Sequence, residues 1–134
     1  MTAGYSGTPL AKKLSLKSGM RAWFDDMPES VATEIGDAGL ERLDRPEAPI
    51  DAAHIFVRVR EDMATKLARL RPLLAPGGFI WVSWPKKASK VPTDITEDGI
   101  REVILPDTDL VDVKVCAVDS IWSGLKLMIR RERR

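Results

Sequence analysis

Three lysines, Lys86, Lys87 and Lys90, fall within the five residues 86–90, between Trp84-Pro85 and the hydroxyls of Ser89 and Thr93. An ammonium is a compact point charge that suits phosphate or sulfate, without the forked geometry of arginine. Hydroxyl donors beside the lysines would complete an anion site, with the indole of Trp84 or Trp122 as a wall that excludes water and strengthens each charge contact. Solvent alone also favours lysine-rich loops, so these residues gain meaning only from where the fold puts them.

Other chemistry-bearing residues are few. His54 is the only histidine and Cys116 the only cysteine, which excludes an internal disulfide and any cysteine-based metal site. His54 reads as a structural or surface residue, and Cys116, inside an alternating run, as a packed small hydrophobe rather than a nucleophile. There is no Gly-x-Ser-x-Gly elbow and no Walker-type phosphate loop. Asp25, Asp26 and Asp94 are the carboxylates available to an enzyme. No catalytic residue, metal site or cofactor is assigned.

The elements that must position these residues follow from periodicity and punctuation. Residues 1–19 form a polar lead-in with a short helix at 10–16, followed by a strand at 20–24. Pro28 suits a first helical turn, Val31, Ala32 and Ile35 share a face, and Gly36 stops that helix. Leu40 and Leu43 mark a short strand, residues 44–52 a connection, and residues 54–59 the next strand. Met63, Leu67, Leu70 and Leu74 recur at helical spacing, with Pro72 tightening the last turn. Ala75-Pro76-Gly77-Gly78 ends that helix before a strand at 79–84. Asp94 with Glu97 resembles a capping box opening a helix through Ile100, Val103 and Ile104. Two antiparallel strands close the chain: Val111, Val113, Val115 and Ala117 alternate as one face, and Leu125, Leu127 and Ile129 as another. Trp23 and Trp81, inside strands, are expected in the core.

Strands alternating with helices predict a three-layer α/β domain, a mostly parallel sheet ending in an antiparallel C-terminal hairpin. The lysine loop would then follow a strand's carboxyl end, where open α/β sheets gather ligands. The run Leu73-Leu74-Ala75-Pro76-Gly77-Gly78-Phe79-Ile80, with the strand pair after it, resembles the second half of a class I methyltransferase, which implies a Rossmann-like fold. That family needs a glycine-rich turn after its first strand. Here the turn is Phe24-Asp25-Asp26-Met27-Pro28-Glu29, whose side chains would stand where S-adenosylmethionine lies, so the cofactor is expected not to bind. Most of the chain also resembles a family of small bacterial proteins known only as a domain of unknown function. The matching phrases are Gly4-Tyr5-Ser6-Gly7-Thr8-Pro9-Leu10-Ala11-Lys12-Lys13, Trp84-Pro85-Lys86-Lys87, Val91-Pro92-Thr93-Asp94, residues 112–119 and Trp122-Ser123-Gly124-Leu125. That family lends no activity.

A length of 134 residues with 44% hydrophobic residues suits a single domain, 1–134. The net charge of +1 argues against tight nonspecific nucleic-acid binding, yet residues 1–21 carry +4, residues 22–51 carry −7 and the basic tail 130–134 carries +3. The tail reads as frayed. No signal peptide or membrane span is apparent, and the lone cysteine suits a reducing cytoplasm. The first expectation is therefore a cytoplasmic, non-catalytic binding or regulatory module for an anionic small molecule or partner. The alternatives are a divergent S-adenosylmethionine-dependent methyltransferase or other enzyme on a phosphorylated substrate, and a nucleic-acid binder using the terminal basic segments.

Overall fold

The computed structural model describes residues 8–106 and 108–134, so the Gly4–Gly7 phrase lies outside the described residues. The chain runs through α1 (Leu10–Lys13), β1 (Arg21–Asp25), α2 (Glu29–Ile35), β2 (Glu41–Arg42), β3 (Ile50–Phe56), α3 (Arg60–Leu70), β4 (Leu74–Pro85), α4 (Glu97–Ile104), β5 (Leu110–Ala117) and β6 (Trp122–Ile129). Six strands form one sheet in the order β2-β1-β3-β4-β6-β5. The pairs from β2 to β4 are parallel, and β6 is antiparallel to both of its neighbours. This is the α/β architecture that the sequence pattern predicts. From β1 the chain steps outward to β2 and then returns past β1 to β3. The carboxyl ends of β1 and β3 therefore border the point where strand order reverses, the usual ligand crevice of an open α/β sheet.

Burial on both faces explains why β3 and β4 read as continuous apolar runs. On one face Ile55, Ile80, Val82 and Leu127 meet Met63, Leu67 and Leu70 of α3 and Ile100 and Ile104 of α4. On the other, Ala52, Phe56, Phe79 and Trp81 meet Leu10 of α1 and Val31 and Ile35 of α2. Trp81 is fully buried, and its Nε1 donates to the Leu14 carbonyl at 2.9 Å. Trp23 is half-buried against the α3/α4 side. After α3, Pro72 sits in a 3-10 turn, Arg71–Leu73, the tightening its ring imposes.

Several boundaries differ from the sequence reading. β3 begins at Ile50 inside the supposed connection, and β4 begins at Leu74, so Ala75-Pro76-Gly77-Gly78 lies in a strand rather than ending a helix. The two strands shift register between Ile50 and Ala52, and a Cβ on Gly78 would stand 2.6 Å from the Ile50 carbonyl oxygen. Bare backbone is what that close approach requires. In β5 the register shifts between Asp112 and Lys114, so the supposed single apolar face changes sides midway. Val113 and Val115 are consequently 48% and 51% exposed on an edge strand, whereas Leu125, Leu127 and Ile129 are buried as expected. The α4 cap is Thr96, whose Oγ1 accepts from the Gly99 amide at 2.9 Å. Asp94 does not cap α4. Its Oδ1 accepts from the Arg60 amide at 2.6 Å, so it caps α3 from a distant part of the chain.

The basic tail is not frayed. Residues Arg131–Arg133 form a 3-10 turn, and Arg134 Nε donates to the Ile129 carbonyl at 2.7 Å. Arg133 Nε lies 4.0 Å from Asp109 Oδ2, so the tail folds back beside the end of β6 rather than onto the acidic segment 22–51. These contacts are largely exposed. Deleting residues 132–134 should cost no more than about 1 kcal/mol in urea unfolding; a loss several times larger would show that the turn anchors β6.

Candidate functional site

The turn after β1 is built from Asp25-Asp26-Met27-Pro28. Asp26 takes a left-handed conformation, φ 56°, which glycine adopts freely and aspartate tolerates better than most residues because its short polar side chain can bond locally. Pro28 precedes α2 with φ −60°, already near the helical value. Asp26 thus supplies at this turn the positive φ that glycine would otherwise provide. Lys66 of α3 places its Nζ 2.7 Å from Asp25 Oδ2 and 3.6 Å from Asp26 Oδ2. Burial works to discharge Lys66, but the hydrogen bond and charge of Asp25, with the charges of Asp26 and Asp62, hold its ammonium above the ordinary value. Two carboxylates at the strand-order reversal therefore hold one cation.

The lysine loop leaves β4 at the same edge. The Lys86 amide donates to the Ile121 carbonyl at 2.7 Å, Lys87–Ser89 form a 3-10 turn, and Lys90 closes it with φ 63°. The far half of the loop is stitched to the segment after β3: Thr93 Oγ1 and the Asp94 amide donate to the Arg58 carbonyl at 2.7 and 3.2 Å. A shallow cavity of about 570 Å³ lies among Arg58, Val59, Pro92, Thr93 and Asp94.

The predicted donors fare unevenly. Ser89 Oγ donates to the Lys86 carbonyl at 2.6 Å, so the protons of Ser89 and Thr93 are both committed to backbone and neither hydroxyl donates to an anion as expected. Trp84 is buried against the α3/α4 core and packs there instead of walling a pocket. Trp122 is half-buried, opposite Pro85 in the β4–β6 pairing and edge-on to Phe56 at 5.2 Å, which puts an apolar ring beside Lys86. Lys87 and Lys90 are exposed and Lys86 half-buried.

Topology adds lysines that the sequence keeps apart. Lys114 Nζ donates to the Lys13 carbonyl at 3.2 Å, and Lys126 Nζ to Ser15 Oγ at 3.1 Å. Burial, then Lys114 and Lys17, push the Lys126 ammonium below its ordinary value. Burial pushes the Cys116 thiol up, against the pull of Lys13, Lys114 and Lys86. Cys116 is thus a buried thiol ringed by lysines, and Lys86 belongs to a band running from α1 to β6. Periodicity had no way to join these segments.

His54 is structural. Its Nε2 lies 2.6 Å from Ser83 Oγ with both residues buried, and its ring stacks on Phe56 at 4.3 Å. Burial pushes its pKa down to about 3, so the imidazole stays neutral inside the core. Among the described residues no three histidine, cysteine or acidic side chains cluster to hold a metal, and no helix is long and apolar enough to cross a membrane.

Comparison with solved structures agrees with the fold. The chain is similar to a S-adenosylmethionine-dependent methyltransferase from Aquifex aeolicus, with TM-score 0.63 and 15% identity, over 90% of this chain and 87% of that one. It is also similar to Aeropyrum pernix fibrillarin with natively bound S-adenosyl-L-methionine, with TM-score 0.56 and 15% identity, over 93% and 70% of the two chains. Magnesium protoporphyrin IX methyltransferase from Synechocystis, with bound cofactor, aligns with TM-score 0.55 and 11% identity over 88% and 73%. At these identities the likeness shows a methyltransferase-like, Rossmann-type fold. No family model and no curated protein matches the chain.

Proposed function

We propose that the chain is a divergent S-adenosylmethionine-dependent methyltransferase acting on an anionic acceptor. The observation that carries this reading is the pair Asp25 and Asp26, which together hold an ammonium at the strand-order reversal. The cofactor carries sulfonium and ammonium cations beside one carboxylate, so the acceptor chemistry of that corner fits its ammonium, and Asp26 supplies the left-handed residue of the turn that glycine would otherwise provide. Asp25 and Asp26 would hold the cofactor's ammonium in place of Lys66. When bound, the cofactor supplies an electrophilic methyl group. Lys86, Lys87 and Lys90 steer an anionic acceptor to the same edge, with Trp122 limiting water beside Lys86. The protein so read is bacterial and cytoplasmic, akin to the uncharacterised family whose phrases it carries.

Calorimetric titration tests this. The expected dissociation constant for S-adenosylmethionine is in the range of about 10–100 μM, or roughly −7 to −5.5 kcal/mol, and Asp25→Asn should weaken it by about tenfold. A flat trace at millimolar cofactor would overturn the reading.

A second reading, a non-catalytic anion-binding module, is favoured by Lys66 itself, whose ammonium already neutralises the acidic corner. Both readings need the lysine loop to attract anions. Phosphate should raise the melting temperature by roughly a few degrees more than chloride at matched ionic strength, and Lys86→Ala/Lys87→Ala should remove that increment. Equal stabilisation of wild type and double variant would leave these lysines a solubilising loop.

A further inference from the structure

The larger cavity lies at the opposite, amino edge of the sheet. A groove of about 970 Å³ runs between α3 and α4. Ala64 and Ala68, one turn apart on α3, line one side, and Val103 and Pro106 line the other. The far end is basic: among the described residues, Arg71, Arg130 and Arg133 line it with one acid, Asp109.

These arginines are not equivalent. Asp109 is committed to Arg71 by a fork of two hydrogen bonds, 2.6 and 2.7 Å. Arg71's hydrogen bond holds the Asp109 carboxyl below its ordinary pKa. Arg133 Nε is 4.0 Å from the same carboxylate. Arg130 is fixed by its backbone, whose amide donates to the Asp109 carbonyl at 2.6 Å. Its Nε is buried with no hydrogen-bond partner among the described residues; Glu132 Oε1 stands 4.0 Å away, beyond hydrogen-bond reach. That Nε–H is enclosed, while the side chain as a whole is 42% exposed, so the outer guanidinium nitrogens are what an anion entering the groove would meet.

We propose that this groove binds a small amphipathic anion, a carboxylate or phosphate carried on an apolar body. The headgroup meets Arg130 and Arg133, and the body lies between Ala64/Ala68 and Val103/Pro106. Charge complementarity selects the headgroup, since among the described residues three arginines face Asp109, which Arg71 already occupies, and the more distant Glu132. The apolar walls select the body, because a purely polar anion would leave them wet. This site is independent of the carboxyl edge.

The test uses octanoate and octyl phosphate as probes, with acetate and inorganic phosphate as headgroup controls, followed by amide and Arg Nε–H shifts of the full chain. Either octyl probe should shift Ala64, Ala68 and the Arg130 Nε–H saturably, with its short control at least about tenfold weaker; the headgroup preferred identifies the source. Arg130→Gln should weaken binding by about tenfold or more. Ala68→Leu, a change at an exposed position, should block the groove without disturbing the core. Lys86→Ala/Lys87→Ala should leave binding unchanged, which separates this result from the fate of the methyltransferase reading. Octyl probes that leave Ala64 and Ala68 unshifted, or that bind both groove variants as tightly as wild type, would overturn the proposal.

Discussion

Leu127→Ala should lower the free energy of unfolding by about 2–5 kcal/mol, while Val115→Ala should change it by no more than about 0.5 kcal/mol. Leu127 is fully buried on β6, paired with Ile80 of β4, and part of the cluster under α3 and α4. Truncation there removes apolar contacts and leaves a cavity that a central strand cannot collapse around. Val115 sits on the same hairpin but on the edge strand, past the register shift, half exposed. Urea midpoints for the two variants measure the contrast directly. Equal losses would mean that the β5 register is wrong and that Val115 faces the core after all.

Acid should destabilise the protein through His54 before any carboxylate acts. In the unfolded chain a histidine titrates near 6.5, while burial holds His54 neutral in the fold down to about 3. Between those values the unfolded state binds the extra proton, so stability is intact above about pH 6.5 and falls as pH drops toward 3. The slope is about 1.4 kcal/mol per pH unit, for a total of roughly 4–5 kcal/mol, a large part of the roughly 5–15 kcal/mol that such domains have. Asp109, whose pKa is held low by Arg71, contributes only below the ordinary aspartate range, so the window from pH 5 to 6.5 isolates His54. Replacing both partners of the buried hydrogen bond, His54→Leu/Ser83→Ala, should flatten the dependence in that window. An unchanged slope in the double variant would assign the acid sensitivity elsewhere.

Much of the fold was legible because its signals are local. Helical spacing in Met63, Leu67 and Leu70, the punctuation by Pro28 and Gly36, and the alternation of Leu125, Leu127 and Ile129 each depend on near neighbours. What failed depends on residues far apart in sequence. Asp94 has a suitable acid at 97, yet it caps α3 because the loop after β3 lies beside it. The β5 alternation looked uniform, and only its pairing with β6 reveals the extra residue near Val113. Gly78 is needed because Ile50 of another strand comes close. The candidate site divides in the same way: Asp25, Asp26 and the lysine loop stood out by type and position. Lys66 and the lysines from α1 to β6 joined them only when the chain folded. For Ser89 and Thr93, sequence cannot show that both hydroxyls donate to backbone carbonyls in the fold.

On the proposed reading, the corner formed by β1 and β3 accepts a cationic adenosyl cofactor. The most direct test is an amide-resolved NMR titration of the full chain with S-adenosylmethionine. Saturable shifts at Asp25, Asp26, Met27, Val57 and Arg58, with Lys66 Nζ released from its carboxylates, are the predicted result. Spectra that do not move at millimolar cofactor, or shifts confined to the amino edge around Arg130, would contradict it.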